Sequence, residues 1–497
     1  GRCWLRYAGS VFDRLASIVL FSTLTLFGCT ESHPDQPNII LVAMDTIRWD
    51  HTSLGGYHRD TTPSLSQLAQ TEGSTTFSRA YSTGSWSLQA YGGLFTGQDA
   101  VTNGMGLSTG SLNLAQSTLP EMLAAHGYHT RAYLSGPHLL EKAGYSRGFE
   151  SFNANVRIMS IAPRVSQVLT WLDEAPEQPF FLFVQGYDAH FPCAAPSVMA
   201  GMYDQHPERH LSSKGCGANR PTPEWSCASS VVRDQATWAL EEQASQGNDE
   251  SVSHVVSHYD ASIRYADLQL GRLLHGLSER KMLDDAIVVV LSDHGEVVDR
   301  APFFDKGYGC GDEVFQVPLV IHVPGNHEPE RFEQVVSLAD VYPTLARLIG
   351  AVAPGGIQGV SLHEALSRPL PAHDSTAVVT SASKTCYWAR SDSWSLRGEL
   401  ANSALAWSLR ADDAGNDVLS ENPGIAQSLH ASVASWPGEY LVDPACGDIG
   451  VDKRTRRPSG HRGVVTCQSS YSSGASADPK LREALREGGY WDEAGER

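Results

Sequence analysis

Basic residues are scarce in this chain: 37 Lys and Arg stand against 56 Asp and Glu, for a formal net charge of -19. That balance excludes nucleic acid as a partner, because phosphate backbones are bound through clustered cations. It also gives no general attraction for anionic substrates. Any anionic group has to be held locally, by a metal, a lysine or a helix N-terminus. No C-x-x-C pair occurs among the cysteines, which removes the usual spacing signal for zinc ribbons and thiol redox sites. Internal repeats are lacking.

The composition that remains is that of a folded globular protein, with 41% hydrophobic and 19% charged residues. At 497 residues the chain exceeds what one hydrophobic core usually organises, so a large domain with a smaller appendage is expected. Near the N-terminus, Arg2, Arg6 and Arg14 precede an apolar run from Ile18 to Gly28 that ends at Cys29. A basic region followed by a short apolar region reads as a secretory signal, and the run is too short for a comfortable transmembrane helix. Leu26-Phe-Gly-Cys29 is similar to a bacterial lipobox, so residues 1–29 are expected to be a signal peptide and Cys29 a lipid-anchored first residue of an extracytoplasmic cell-envelope protein. Seven cysteines follow, at 193, 216, 227, 310, 386, 446 and 467. In an oxidising compartment most of these would pair, and the odd number leaves at least one unpaired or bonded outside the chain.

Asn38-Ile-Ile-Leu-Val-Ala-Met44 is a continuous apolar run ending in Asp45, the pattern of a buried parallel strand that delivers a polar residue at its carboxyl edge. Comparable runs are Thr130 to Leu134, Pro179 to Val184 and Ala286 to Leu291. Helical stretches separate them, at Thr118 to His126, Val165 to Leu172 and Tyr259 to Leu277. This alternation predicts an α/β fold with a mostly parallel sheet between helices. From Cys193 to about Ser253 the pattern lapses into Pro, Ser, Gly and charged residues, a surface insertion. The large domain is expected over 37–370 and a small α+β domain with a polar tail over 371–497. Leu291-Ser-Asp293-His294-Gly-Glu296 repeats the acid-at-strand-end signal of Asp45. In a doubly wound sheet such ends converge on one crevice, where two carboxylates and an imidazole nitrogen suit a divalent ion.

Ser85-Trp-Ser87-Leu-Gln89-Ala-Tyr91-Gly-Gly-Leu-Phe-Thr-Gly97 adds a third block, with Ser87 ten residues before Gly97. With Asp45, the turn Gly127-Tyr-His-Thr130, the Phe-Leu-Phe-Val run ending at Val184, Asp188-Ala-His190, Tyr259-Asp260, Ser292 to Glu296, Lys306-Gly307, Val317-Pro-Leu319 and Leu338 to Thr344, it resembles the sulfatase branch of the alkaline-phosphatase-like enzymes over roughly residues 37 to 365. Asn422-Pro to Trp436 is similar to the helix of that family's small C-terminal domain. The resemblance implies a hydrolase of sulfate or phosphate esters with metal ligands at Asp45, Ser87, Asp293 and His294. It implies Ser87 as nucleophile, His190 and Lys306 as groups contacting a small-molecule or glycan ester, and one divalent cation. Oxygen-rich ligation favours calcium, with magnesium, manganese and zinc as alternatives.

The chain also departs from that family. Thr46 stands where many sulfatases have a second Asp. Gln89 and Tyr91 replace the third and fifth residues of C/S-x-P/A-x-R, the sequence that directs conversion of the nucleophile to formylglycine. Ser135-Gly-Pro-His138 replaces a lysine and a histidine, with His138 one position out of register. A serine hydroxyl lacks the geminal hydroxyl by which an aldehyde hydrate expels sulfate, which shifts weight toward phosphate esters. Two other readings follow from these departures: a cell-envelope phosphoesterase or phosphotransferase, and a catalytically degenerate binding lipoprotein. Ser87 is also expected to N-cap the helix that follows it.

Overall fold

The computed structural model describes residues 36–105, 111–191, 193, 195–204, 243–300, 303–304, 306, 310–325, 327–367, 378–383, 386–401, 404–411, 417–434, 441–442 and 464–465. The expected signal peptide and Cys29 lie outside them, as do Cys216, Cys227, Cys446, Cys467 and most of the insertion. No helix among the described residues is long and apolar enough to cross a membrane.

Nine strands build the main sheet: β1 (Asn38–Met44), β2 (Ser74–Tyr81), β3 (His129–Ser135), β4 (Ser151–Asn155), β5 (Phe180–Gly186), β6 (Ala286–Leu291), β7 (Gln316–His322), β8 (Glu330–Phe332) and β9 (Val336–Ser337). Their order is β4-β3-β5-β1-β6-β7-β2-β8, with β9 also on β2. β1 lies between β5 and β6 and pairs parallel with both. Only β7 is reversed, pairing antiparallel with β6 and β2. The sheet is therefore mostly parallel, as expected.

The continuous apolar runs follow from burial on both faces. Side chains alternate along a strand, so Ile39, Leu41 and Ala43 enter one core while Ile40, Val42 and Met44 enter the other. The first face is covered by α2 (Ser87–Thr96), α3 (Leu119–Ala125) and α6 (Val341–Leu348), and the second by α1 (Pro63–Ala69), α4 (Ala162–Asp173) and α5 (Asp249–Glu279). Thr118 begins α3 in a capping box with Glu121, which satisfies two otherwise unpaired donors. α5 begins ten residues before Tyr259, because the Asn248 side chain accepts the N–H groups of Glu250 and Ser251 and acidic residues fill the first turn. Residues 249–253, which resemble the insertion in polarity, belong to this helix.

A second sheet, β10 (Val379–Ala382), β11 (Cys386–Arg390), β12 (Trp394–Ala401) and β13 (Ala404–Ala411), is an antiparallel meander packed on α7 (Pro423–Ala434). It holds the segment that leads into α2: Ser85 N–H donates to Ala382 O at 3.1 Å, and the Ser381 hydroxyl donates to Ser82 O. A disulfide between Cys310 and Cys386 ties the same sheet to the chain following the site, and Cys193 carries a free thiol.

Candidate active site and metal centre

Asp45 leaves the end of β1 and Asp293 and His294 leave the end of β6, the adjacent parallel strand. One oxygen of each carboxylate and a ring nitrogen of His294 lie within 4.8 Å of one another, and all three residues are buried. Asp293 Oδ1 accepts the backbone N–H of Thr46 at 3.1 Å and of His294 at 2.9 Å. Asp45 Oδ2 accepts from Gln185 Nε2 at 3.2 Å. The remaining oxygens, Asp45 Oδ1 and Asp293 Oδ2, are buried with no hydrogen-bond partner among the described residues. Two orphaned buried carboxylate oxygens are costly unless a cation sits between them, and oxygen donors with one imidazole fit a divalent ion.

Electrostatics point the same way. Burial, then the charge of Asp293, holds the Asp45 carboxyl well above the usual carboxylate range, while Lys306 pulls it back. Burial pushes the His294 imidazole down to about 4, so it is neutral at physiological pH. Its Nδ1 lies 2.8 Å from Gly295 O and donates there, which leaves the Nε2 lone pair facing Ser87 Oγ at 3.1 Å.

Ser87 is brought to this cluster by α2, though not as its cap. Trp86 is the N-cap and Ser87 the first helical residue, because the backbone is already helical there and Ala90 N–H bonds Trp86 O. Freed from capping, the Ser87 hydroxyl points at His294 and lies 3.4 Å from Asp45 Oδ2. Tyr91, one turn further, places its phenol near Asp293 and Asp45, where burial first and those charges second keep it protonated. The Thr46 hydroxyl turns back to Asp45 O at 2.8 Å on a left-handed backbone with φ 60°. It is not offered to the carboxylates.

Lys306 and His190 both reach the site's surroundings. The Lys306 ammonium is buried 3.2 Å from Glu296 Oε2, and it acts electrostatically on Asp45, His138, His190 and His294. His190 Nδ1 donates to Phe191 O at 2.8 Å, its ring stacks on Tyr187 at 4.2 Å, and burial lowers its pKa well below the ordinary value. Asp188, two residues earlier, accepts Ile161 N–H at 2.8 Å, and burial lifts it to about 6.

Sequence reasoning misses three neighbours. Gln185 is a polar residue at the end of the apolar strand β5, the same signal that singles out Asp45. Glu296 closes the Ser292 to Glu296 block, where nothing local marks it as the partner of Lys306. His138 is out of register with the family pattern, yet its Nε2 lies 3.0 Å from the Tyr187 hydroxyl and its ring 6.5 Å from His190. The turn that brings it there runs through Gly136 at φ 75°, where a Cβ would stand 2.8 Å from the Tyr187 ring. Only glycine meets both demands.

The fold and this cluster define an alkaline-phosphatase-like hydrolase. A family model described as Sulfatase matches residues 37–351, and the chain belongs to the sulfatase family. It is 24% identical over 396 residues to an arylsulfatase of Clostridium perfringens, covering 66% of this chain and 78% of that one. It is 26% identical over 373 residues to arylsulfatase K of Bos taurus, covering 67% of this chain and 66% of the relative. Among solved structures, one in complex with its substrate D-glucosamine-2-N,6-O-disulfate superposes with TM-score 0.62 at 18% identity, covering 80% of this chain and 97% of the other. A phosphonate monoester hydrolase of Silicibacter pomeroyi gives 0.61 at 18%, covering 80% and 94%. The family is metal-dependent, and the cluster of Asp45, Asp293 and His294 is a group able to hold the ion.

Proposed function

We infer that this protein hydrolyses anionic esters of small molecules or glycans with unmodified Ser87 as nucleophile, and that phosphate esters turn over faster than sulfate esters. The observation that carries this reading is the position of Ser87 Oγ, 3.1 Å from His294 Nε2 and 3.4 Å from Asp45 Oδ2 beside two orphaned carboxylate oxygens. Asp45, Asp293 and His294, with Ser87 as fourth ligand, would hold the divalent cation, and oxygen donors favour calcium. When bound, that ion supplies positive charge that lowers the hydroxyl's pKa and offsets the charge of the ester.

The residues themselves do the rest. Ser87 Oγ gives up its proton and attacks phosphorus in line as the P–O bond to the ester breaks and the alcohol leaves protonated. Water then attacks the phosphoserine, releasing inorganic phosphate and returning a proton to Ser87 Oγ. Backbone N–H groups in the first turn of α2 and the Lys306 ammonium face the charge that the transferred group carries. His190 is neutral with Nδ1 donating to Phe191 O, so Nε2 is its acceptor nitrogen.

The glycan part of the proposal is supported by neighbours: a structure in complex with κ-ι-κ-neocarrahexaose (TM-score 0.58) and an ulvan-active sulfatase of Formosa agariphila, 25% identical over 406 residues. The phosphate part is supported by Gln89 and Tyr91 in place of the conversion sequence and by the phosphonate monoester hydrolase fold neighbour. An extracytoplasmic, lipid-anchored location at Cys29 is part of the same proposal, and the Cys310–Cys386 disulfide supports an oxidising compartment.

Parallel assays with an aryl phosphate, an aryl phosphonate monoester and an aryl sulfate, joined to mass spectrometry of the peptide holding residue 87, test the reading. An intact serine, phosphate preference and a loss of about a thousandfold or more in kcat for Ser87→Ala with metal retained are expected. An aldehyde at residue 87 with sulfate preferred overturns it.

A further inference from the structure

A second group of ligand-capable side chains lies away from Ser87, where the chain meets the first turns of α5. His254 and His258 are four residues apart on this helix, so their rings share one face and stand 4.7 Å apart between centroids. Asp204 closes on them from the segment that enters the insertion. Its Oδ2 is 2.8 Å from His254 Nδ1 and 3.9 Å from His258 Nε2. All three donor atoms lie within 4.8 Å of one another. The side chains are only 5%, 4% and 8% exposed, so this is not a solvated surface cluster.

The surroundings hold Asp204 in place. The Ser257 hydroxyl, on α5 beside His258, donates to Tyr203 O at 3.0 Å, and the Tyr203 hydroxyl donates to Asp60 O at 2.7 Å. The aspartate is thus pinned through its neighbour to the same helix that carries both histidines.

We propose that Asp204, His254 and His258 bind a zinc ion that clamps the start of the insertion to α5. Two imidazole nitrogens and one carboxylate oxygen form a borderline donor set that suits zinc better than calcium. Zinc bonds of about 2.0–2.2 Å at tetrahedral angles place neighbouring donors about 3.3 Å apart. The observed 2.8 and 3.9 Å separations bracket that distance, so movements of about half an ångström in side-chain position complete the set, with water as fourth ligand. The site is chemically distinct from the oxygen-rich Ser87 cluster and independent of the function assigned there.

The test uses the full chain carrying Asp45→Asn, which removes the other cluster's claim on the metal. Equilibrium dialysis against zinc chloride followed by elemental analysis should show one equivalent retained. That equivalent should be lost on adding His254→Gln or His258→Gln. Cobalt(II) titration of the Asp45→Asn protein should give the intense visible bands of a four-coordinate ion, a readout that needs no histidine variant to fold. Retention of no zinc, zinc retention unchanged in both histidine variants, or only the weak bands of six-coordinate cobalt overturns the proposal.

Discussion

Two pairs of buried carboxylates in this molecule have opposite fates. Asp267, on α5, accepts Ser64 N–H on Oδ2 and Leu65 N–H on Oδ1, both at 2.8 Å, and so satisfies the first turn of α1. Asp340 accepts Ser337 N–H at 2.8 Å and Val360 N–H at 2.7 Å, one on each oxygen. Every oxygen of that pair serves the backbone. Asp45 and Asp293 each keep one oxygen with no hydrogen-bond partner among the described residues, and they are close enough to repel each other. Similar burial therefore produces a structural acid when both oxygens face N–H groups, and an acid poised for a cation when they face each other.

The largest effects should come from breaking the second pair. In Asp45→Asn or Asp293→Asn, calcium content after gel filtration should fall to background and kcat/KM should drop by about a thousandfold or more. Metal-free stability should not fall, and should rise by an amount on the order of 1 kcal/mol, because the substitution removes like-charge repulsion between buried groups. Chemical unfolding in chelator measures this. A clear loss of metal-free stability would place Asp45 with the structural acids. Asp267→Ala should behave in the opposite way. It leaves two backbone donors at the start of α1 unmet, which costs about 1–3 kcal/mol, while kcat/KM of the folded protein stays within about twofold of wild type. An unchanged unfolding midpoint would remove the contrast.

The same contrast explains what is readable in the sequence. Asp45 directly follows an uninterrupted apolar run and Asp293 follows another after a single serine, and burial on both faces of a parallel sheet makes such runs conspicuous, so the strands and their convergent ends follow from local pattern. Ser87 is readable as a candidate, but its hydroxyl's direction is not. Whether serine caps a helix or begins it depends on one residue's backbone, and Trp86 takes the cap here. His138 needs the left-handed turn at Gly136 to enter the site, a conformational fact that spacing cannot express. The Asp204, His254 and His258 cluster is invisible in sequence, because Asp204 falls in the segment read as an insertion and both histidines precede the expected helix start at Tyr259, whereas Asn248 caps the helix ten residues earlier. Asp267 and Asp340 look like ordinary helix and turn acids in sequence, since their backbone partners include donors as far as 203 residues away.

The smallest effect concerns the structural pair and isolates its titration. Burial outweighs the backbone hydrogen bonds and lifts Asp340 from an ordinary 3.8 to about 6. Between those values the folded state binds more protons than the unfolded chain, so stability must fall as pH rises through the window and be fully recovered below it. His294 works in the other direction, because its folded pKa of about 4 lies below the ordinary 6.5 and its contribution is lost as pH falls. The wild-type profile alone therefore mixes opposing slopes. The difference between wild type and Asp340→Asn cancels His294 and leaves the contribution of Asp340. Asn cannot titrate, and it also replaces one acceptor with a donor facing a backbone N–H, so the variant is less stable throughout. Unfolding midpoints taken from pH 7 to 4.5 should show the wild type's advantage growing toward the acid end by an amount on the order of 1–3 kcal/mol, since each tenfold difference in proton affinity between the two states is worth about 1.4 kcal/mol. An advantage constant across that range would mean that Asp340 titrates alike in both states and that its two backbone hydrogen bonds fully offset its burial.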